Sequence, residues 1–265
     1  MPITVTSADD ARLADFVDLR DPVARKRRER DELFVAEGVT AIERLVAAPH
    51  RIRSVLVTPS AAARLAARVG DLDALGAPVY IASGAVLRAT VGFDLHRGAV
   101  AAADRRPLPS LADVLRESHR IAVLEGLNDA ENLGAISRSA RALGIDALVL
   151  DPTCTDPYSR RTVRVSMGEV LHLPVARAAP WPAALDEVAA VGFERWALTP
   201  DPSATALGDL APPPRVAVLL GAEGPGLSGT ALAVADRRVR IPMRPGVDSL
   251  NVGHAAAIAF AALHR

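Results

Sequence analysis

Cysteine, lysine and aromatic residues are all scarce in this chain of 265 residues, and each scarcity closes off a class of protein. The lone cysteine, Cys154, excludes an internal disulfide framework and a cysteine-built zinc site, so its expected role is packing. The histidines show no metal-ligand spacing, and no metal is expected. Aromatic residues make up 3% of the chain, which argues against a platform that stacks successive single-stranded bases. Lysine occurs once, at Lys26, while arginine is abundant. A bias in the coding DNA explains that as readily as a need for bidentate phosphate contacts. No apolar run reaches roughly eighteen residues, and the first ten residues lack a charged-then-apolar leader pattern, so a cytoplasmic protein with no membrane partner is expected.

What is present is a hydrophobic half, 50% of the residues, enough for one large or two modest domains. Charge is balanced at 31 basic and 31 acidic residues, and neither half of the chain is polybasic. One local cluster stands out: Arg25, Lys26, Arg27, Arg28 and Arg30. On a helix these would form a phosphate-contacting surface, or equally a solvated face partnered by Glu29, Asp31 and Glu32. Tyr158, Arg160, Arg161 and Arg164 form a second basic segment, suited to RNA contact or to an interface.

Periodicity predicts helices over residues 38–48 and 61–69 and strands over 54–58, 79–81 and 100–103, a small α/β unit ending near Pro107. A short helix over 111–117 follows. Beyond it come apolar strands over 120–124, 147–150, 195–198, 216–220 and 239–241 with helical stretches between them, the pattern of a mostly parallel sheet covered on both faces. The expected division is a first domain over 1–106, a linker and first helix over 107–118, and a second domain over 119–265. Ligands of such sheets bind beyond the strand C-termini.

Three segments at those strand ends carry more glycine, asparagine and charge than packing requires. The first, from Glu125, passes through Asn132, Gly134 and Arg138 into a helix that Asn132 is placed to cap. The second, Gly221-Ala222-Glu223-Gly224-Pro225-Gly226, follows an apolar strand; it lacks the lysine of a Walker loop and the spacing of a dinucleotide fingerprint. The third runs from Ile241-Pro242-Met243 to Ser249-Leu250-Asn251 and into the apolar helix that ends the chain, where N-capping is the bland explanation for the polar residues.

Taken together, in this order and at these separations, the three segments resemble the motifs of the SpoU/TrmH branch of the SPOUT RNA ribose 2′-O-methyltransferases. That resemblance covers the chain from about Arg120 onward. It implies an α/β fold whose mostly parallel C-terminal sheet ends in a deep trefoil knot, an exception to the usual absence of knots, and a homodimer built around it. It further implies S-adenosyl-L-methionine as cofactor, enclosed by Leu198, Thr199, Gly221, Ala222, Gly224, Ile241, Met243 and Leu250. The reactive site would be Asn132, Arg138, Glu223, Ser249 and Asn251. The first domain is similar, less sharply, to the ribosomal-protein L30e-like domain that some members use to grip RNA, with Phe34-Val35-Ala36-Glu37-Gly38 fitting its opening. Structured RNA, with ribosomal RNA (23S before tRNA) as the first choice, is the implied substrate.

Methyl transfer to a ribose hydroxyl needs the oxygen in line with the methyl and losing its proton, and needs no metal. A guanidinium has a pKa of roughly 12.5 or above, so Arg138 is expected to hold a phosphate and stabilise a developing alkoxide rather than act as base. The family pattern commonly continues with serine where this chain has Gly253-His254. His254 shares a helical face with Asn251, either as a proton acceptor or, the stronger alternative, as a packing residue. Two other functions compete with ribose methylation: a noncatalytic dimeric RNA-binding protein, which would not bind the cofactor, and a knotted tRNA base methyltransferase, which the Ser249-Leu250-Asn251 motif disfavours.

Overall fold

The computed structural model describes residues 1–21, 23, 32–95 and 97–264. The basic cluster Arg25, Lys26, Arg27, Arg28 and Arg30 therefore lies outside the described residues. The chain divides into two compact units. One comprises Met1–Arg106 and Tyr158–Leu171, the other Pro107–Pro157 and His172–Arg265. The sequence had placed all of 119–265 in one domain; the segment Tyr158–Leu171 instead packs with the first unit.

In the first unit, strands β1 (Ile3–Val5), β2 (Leu33–Glu37), β3 (Ile52–Val57), β4 (Val79–Ala82) and β5 (Ala99–Asp104) form one sheet in the order β1-β4-β3-β5-β2. β4 pairs in parallel with β1 and β3, while β5 runs antiparallel to β2 and β3. Three helices follow strands: α1 (Val39–Ala47), α2 (Pro59–Val69) and α3 (Gly84–Val91). α2 and α3 start where Thr58 and Ser83 accept from the backbone N–H groups of Ala61 and Val86, satisfying donors that a helix start leaves open. The short helix α6 (Arg160–Val165), within the inserted segment, is held by Arg44, which donates to the Met167 carbonyl at 2.7 Å and pairs with Glu169 at 2.9 Å.

The second unit is a seven-stranded sheet, and every strand pair in it is parallel. It consists of β6 (Arg120–Glu125), β7 (Ala147–Leu150), β8 (Val175–Arg177), β9 (Glu194–Leu198), β10 (Thr205–Ala206), β11 (Val216–Gly221) and β12 (Arg237–Arg240), in the order β10-β12-β9-β11-β6-β7-β8. The residues from Ile121 to Leu124 and from Val216 to Leu219 have no exposed surface, as strands covered on both faces require. The helices of this unit are α4 (Leu111–Glu117), α5 (Ala130–Ala142), α7 (Ala184–Ala190), α8 (Gly229–Val234) and α9 (Val252–Leu263). One cluster holds Leu133 and Ile136 of α5 and Ala256 and Phe260 of α9 against β6 and β11; on the other face α4, α7 and α8 contribute Leu115, Leu185 and Ala231.

Beyond β7 the chain turns on Asp151, whose carboxylate accepts from the Cys154 N–H at 2.8 Å and from the N–H and hydroxyl of Thr153. Burial opposes ionisation of Asp151, but these hydrogen bonds outweigh it and hold its pKa below the ordinary carboxylate value. Burial, reinforced by Asp151, pushes the Cys154 thiol up to about 12, so it stays protonated and serves packing. A carboxylate whose folded pKa is depressed stabilises the fold fully above its unfolded pKa of about 3.9 and loses that contribution as pH falls through the folded value. Asp151→Asn is therefore expected to lower the denaturation midpoint at pH 7, with the gap from wild type narrowing as urea titrations move to pH 3. A gap independent of pH would exclude this account.

Candidate active site

The C-terminal ends of β9, β11 and β12 open on a cavity of about 500 Å³, within the range of small-molecule sites. Its apolar wall is Leu198, Leu220, Ile241, Met243, Leu250, Val252 and Ala255. Its polar side is Thr199, Glu223, Ser249 and Asn251, and the backbone of Gly221, Ala222, Gly224 and Gly226 completes it.

The glycine loop folds back on itself. Gly226 donates its N–H to the Ala222 carbonyl at 2.9 Å, and the two residues form an isolated β-bridge. A Cβ at Gly221 would fall 2.1 Å from the carbonyl carbon of Gly226, so only glycine permits this approach. Gly224, with φ of 87°, sits at the turn in the left-handed region. The loop thus presents its backbone together with the Glu223 side chain to the cavity.

Asn251 organises the polar side. It is the N-cap of α9, and its Oδ1 accepts the N–H groups of Gly253 at 2.9 Å and His254 at 3.3 Å. With the oxygen so engaged, the amide NH₂ must face the other way. There it donates to Asn132 Oδ1 at 3.0 Å and to Glu223 Oε1. The capping explanation and the functional one therefore describe the same side chain. Asn132 does not cap α5; Asp129 does, accepting from Glu131 N–H at 2.8 Å, and this leaves the buried Asn132 for Asn251. The second oxygen of Glu223 has no partner among the described residues.

Of the residues expected at the site, Leu198, Thr199, Gly221, Ala222, Gly224, Ile241, Met243 and Leu250 line the cavity with Glu223, Ser249 and Asn251, and Asn132 stands behind Asn251. Arg138 lies outside this group, exposed on α5 with no ion-pair partner among the described residues. His254 is also exposed in the single chain and does not line the cavity. Arg160, expected at RNA phosphates, is half-buried, ion-paired to Glu37 and set over the ring of Phe93 at 4.9 Å. Tyr158 stacks on Phe34 with ring centroids 5.1 Å apart, while Arg161 is exposed. Pro200, Leu220, Val252 and Ala255 line the cavity although no site role was expected of them. They adjoin the motifs, and only the fold brings them inward. Among the described residues, no group of three or more His, Cys, Asp or Glu is placed to hold a metal ion, and no helix is long and apolar enough to cross a membrane.

A parallel sheet with a glycine-walled cavity at its strand ends defines a small-molecule-binding α/β protein. Comparison with known proteins makes the class specific. The SpoU rRNA Methylase family profile matches residues 119–261. An uncharacterised tRNA/rRNA methyltransferase of Mycobacterium tuberculosis is 46% identical over 260 residues, spanning 97% of this chain and 89% of that protein. The 23S rRNA (guanosine(2553)-2′-O)-methyltransferase RlmP of Bacillus subtilis is 27% identical over 261 residues, 96% of each chain. Among solved structures, the AdoMet-bound rRNA methyltransferase of Sinorhizobium meliloti superposes with a TM-score of 0.78 at 25% identity, covering 98% of this chain and 96% of its own. The chain belongs to the SpoU rRNA methylase family of RNA methyltransferases.

The Asn251 network generates a prediction with a definite sign. Asn251→Asp keeps the oxygen that caps α9 but turns the donor facing Asn132 and Glu223 into an acceptor beside a carboxylate. One carboxyl of the new pair should then titrate above its unfolded pKa, a penalty present at neutral pH and relieved as pH falls. Thermal melts should show a stability deficit of up to about 1 kcal/mol at pH 7, the scale of an exposed charge pair, that shrinks toward pH 4. An equal deficit at both pH values would mean the amide bonds are not made.

Proposed function

We propose that the protein is an S-adenosyl-L-methionine-dependent RNA 2′-O-ribose methyltransferase acting on ribosomal RNA, with 23S rRNA the leading substrate. The observation that carries this reading is the convergence on one cavity of the glycine loop, the apolar wall and the Asn132–Asn251–Glu223 network. The 2′-O specificity and the 23S substrate are supported by the likeness to RlmP, and the cofactor by the likeness to the AdoMet-bound Sinorhizobium enzyme.

The residues present fit that cofactor. Leu198, Ile241, Met243 and Leu250 offer an apolar bed for a nucleoside, and the Gly221–Gly226 backbone offers hydrogen-bonding groups at a surface no side chain obstructs. When bound, S-adenosylmethionine supplies an electrophilic methyl group on its sulfonium. Asn251, held by its cap bonds, orients Glu223 and Asn132. Glu223 brings a carboxylate oxygen free to accept a hydrogen bond from the ribose hydroxyl, and Ser249 supplies a hydroxyl at the same wall. Arg138 is assigned to the RNA phosphate, where a permanently charged fork stabilises the developing alkoxide.

The protein acts as a cytoplasmic homodimer in this reading, with the knotted C-terminal segment of its family. Val247, Leu250 and Ile258 are exposed large apolar residues in the last segment and on α9, consistent with a subunit contact there. The first unit, as an L30e-like module, grips the RNA. Phosphate contact there falls to the basic residues 25–28 and 30 and to Arg161.

Isothermal titration with S-adenosylmethionine tests the reading first. Wild-type protein should bind, and Leu250→Arg, which drives a charge into the cavity, should weaken binding by about a hundredfold or more, roughly 2.7 kcal/mol. Single-turnover methylation of unmodified 23S rRNA should proceed with wild type and fall by roughly 100-fold or more in Arg138→Ala, the loss seen when one donor to a developing oxyanion is removed. A fully active Arg138→Ala enzyme would remove Arg138 from the mechanism. A folded wild-type protein that does not bind the cofactor would leave a noncatalytic RNA-binding protein as the better description.

A further inference from the structure

Only two carboxylates are buried among the described residues, Asp151 and Glu125. Asp151 shapes its own loop, whereas Glu125 ties together two segments distant from it in the chain. It ends β6, directly opposite Gly221 in the parallel pairing of β6 with β11, and is 9% exposed. Each of its oxygens takes a different donor from a distant segment. Oε1 accepts from the indole Nε1 of Trp181 at 2.7 Å, and Oε2 accepts from the backbone N–H of Ser228 at 2.8 Å.

Ser228 is where the glycine loop ends and α8 begins. The near end of that loop, Gly221, is fixed by strand pairing, and its far end is fixed by the bond from Ser228 to Glu125. Between the two anchors lie Ala222, Glu223, Gly224 and Gly226, which wall the cavity. Trp181 packs against the apolar cluster that contains the buried Leu227 and delivers its N–H to the carboxylate.

We infer that Glu125 is a positioning residue: through Ser228 its carboxylate holds the 221–228 loop in the shape that takes S-adenosylmethionine and keeps Glu223 at Asn251. This rests on the cofactor assignment of the preceding subsection. The charged form is required for a simple reason of inventory. Two N–H donors converge on Glu125, and a carboxylate supplies two acceptors, whereas a glutamine amide supplies one acceptor and one donor group. Glu125→Gln therefore sets N–H against N–H, either at Ser228 or at Trp181.

That conflict gives the test an unusual sign. The full-length protein is titrated with S-adenosylmethionine as wild type, E125Q, W181F and the double variant W181F/E125Q, with a thermal melt of each. E125Q should bind about tenfold more weakly, equivalent to about 1.4 kcal/mol. W181F keeps an aromatic ring at this position but loses the indole N–H and some volume, and should stay within about threefold of wild type. In the double variant the amide NH₂ can turn toward the phenyl ring and its oxygen toward Ser228, so binding should be tighter than in E125Q alone. A residue that merely contributed to stability would make the double variant worse than either single one. E125Q binding as wild type does, or a double variant no tighter than E125Q, overturns the inference. Should E125Q fail to fold, the double variant must fold and bind within about tenfold of wild type, and its failure overturns the inference as well. Absence of binding by folded wild-type protein would instead sink the cofactor assignment on which this inference stands, a result involving no variant at all.

Discussion

The parallel pairing of β6 with β11 is the constraint from which the site follows. Parallel strands must both be covered, so the residues between their ends are apolar and buried, and both strands end at the same edge of the sheet. At that edge the last paired residues are Glu125 and Gly221. One begins the segment that leads to Asn132 and the other begins the glycine loop that carries Glu223. Two of the three polar members of the central network are thus brought together by backbone hydrogen bonding alone. The third, Asn251, arrives on α9, which packs against α5.

Asn251 shows how a helix cap becomes a chemical group. A cap needs only an acceptor oxygen, and serine or aspartate would serve. Asparagine adds an NH₂ whose direction is dictated once the oxygen is committed, and here that direction is toward two acceptors. The neighbouring side chains are then tied to a residue that also starts α9. Preorganisation of this kind lets positioning supply rate without movement at the moment of reaction.

The parts of this arrangement that were legible in the sequence are those with a local signature. Ile121-Ala122-Val123-Leu124 and Val216-Ala217-Val218-Leu219-Leu220 read as buried parallel strands because nothing else tolerates such continuous apolarity between breakers. Gly221 and Gly226 read as a close backbone approach, and Asn251 as a cap. What escaped was short or non-local. β1, with three residues, and β10, with two, carry no periodicity. β8 is equally brief, and α3 is a weakly polarised helix of eight residues. Tyr158–Leu171 reads only as a basic segment inside the second domain until Arg44, 123 residues from Met167, is seen to hold it in the first unit. The cap of α5 was misassigned because Asp129 and Asn132 are both capable cappers, and only the long-range bond to Asn251 decides between them.

The two glutamates at the sheet edge illustrate why residue type alone does not assign a role. Glu125 is buried, does not line the cavity, and has each oxygen engaged by a fixed donor, so its charge serves geometry. Glu223 is exposed, with one oxygen engaged by Asn251 and the other open, so the same carboxylate chemistry is available to whatever occupies the cavity. The difference lies in the donors: the N–H of Ser228, at the start of α8, and the indole N–H of Trp181 each take one oxygen of Glu125. Two fixed donors thus hold one carboxylate inside, beside a site that presents its other carboxylate to solvent.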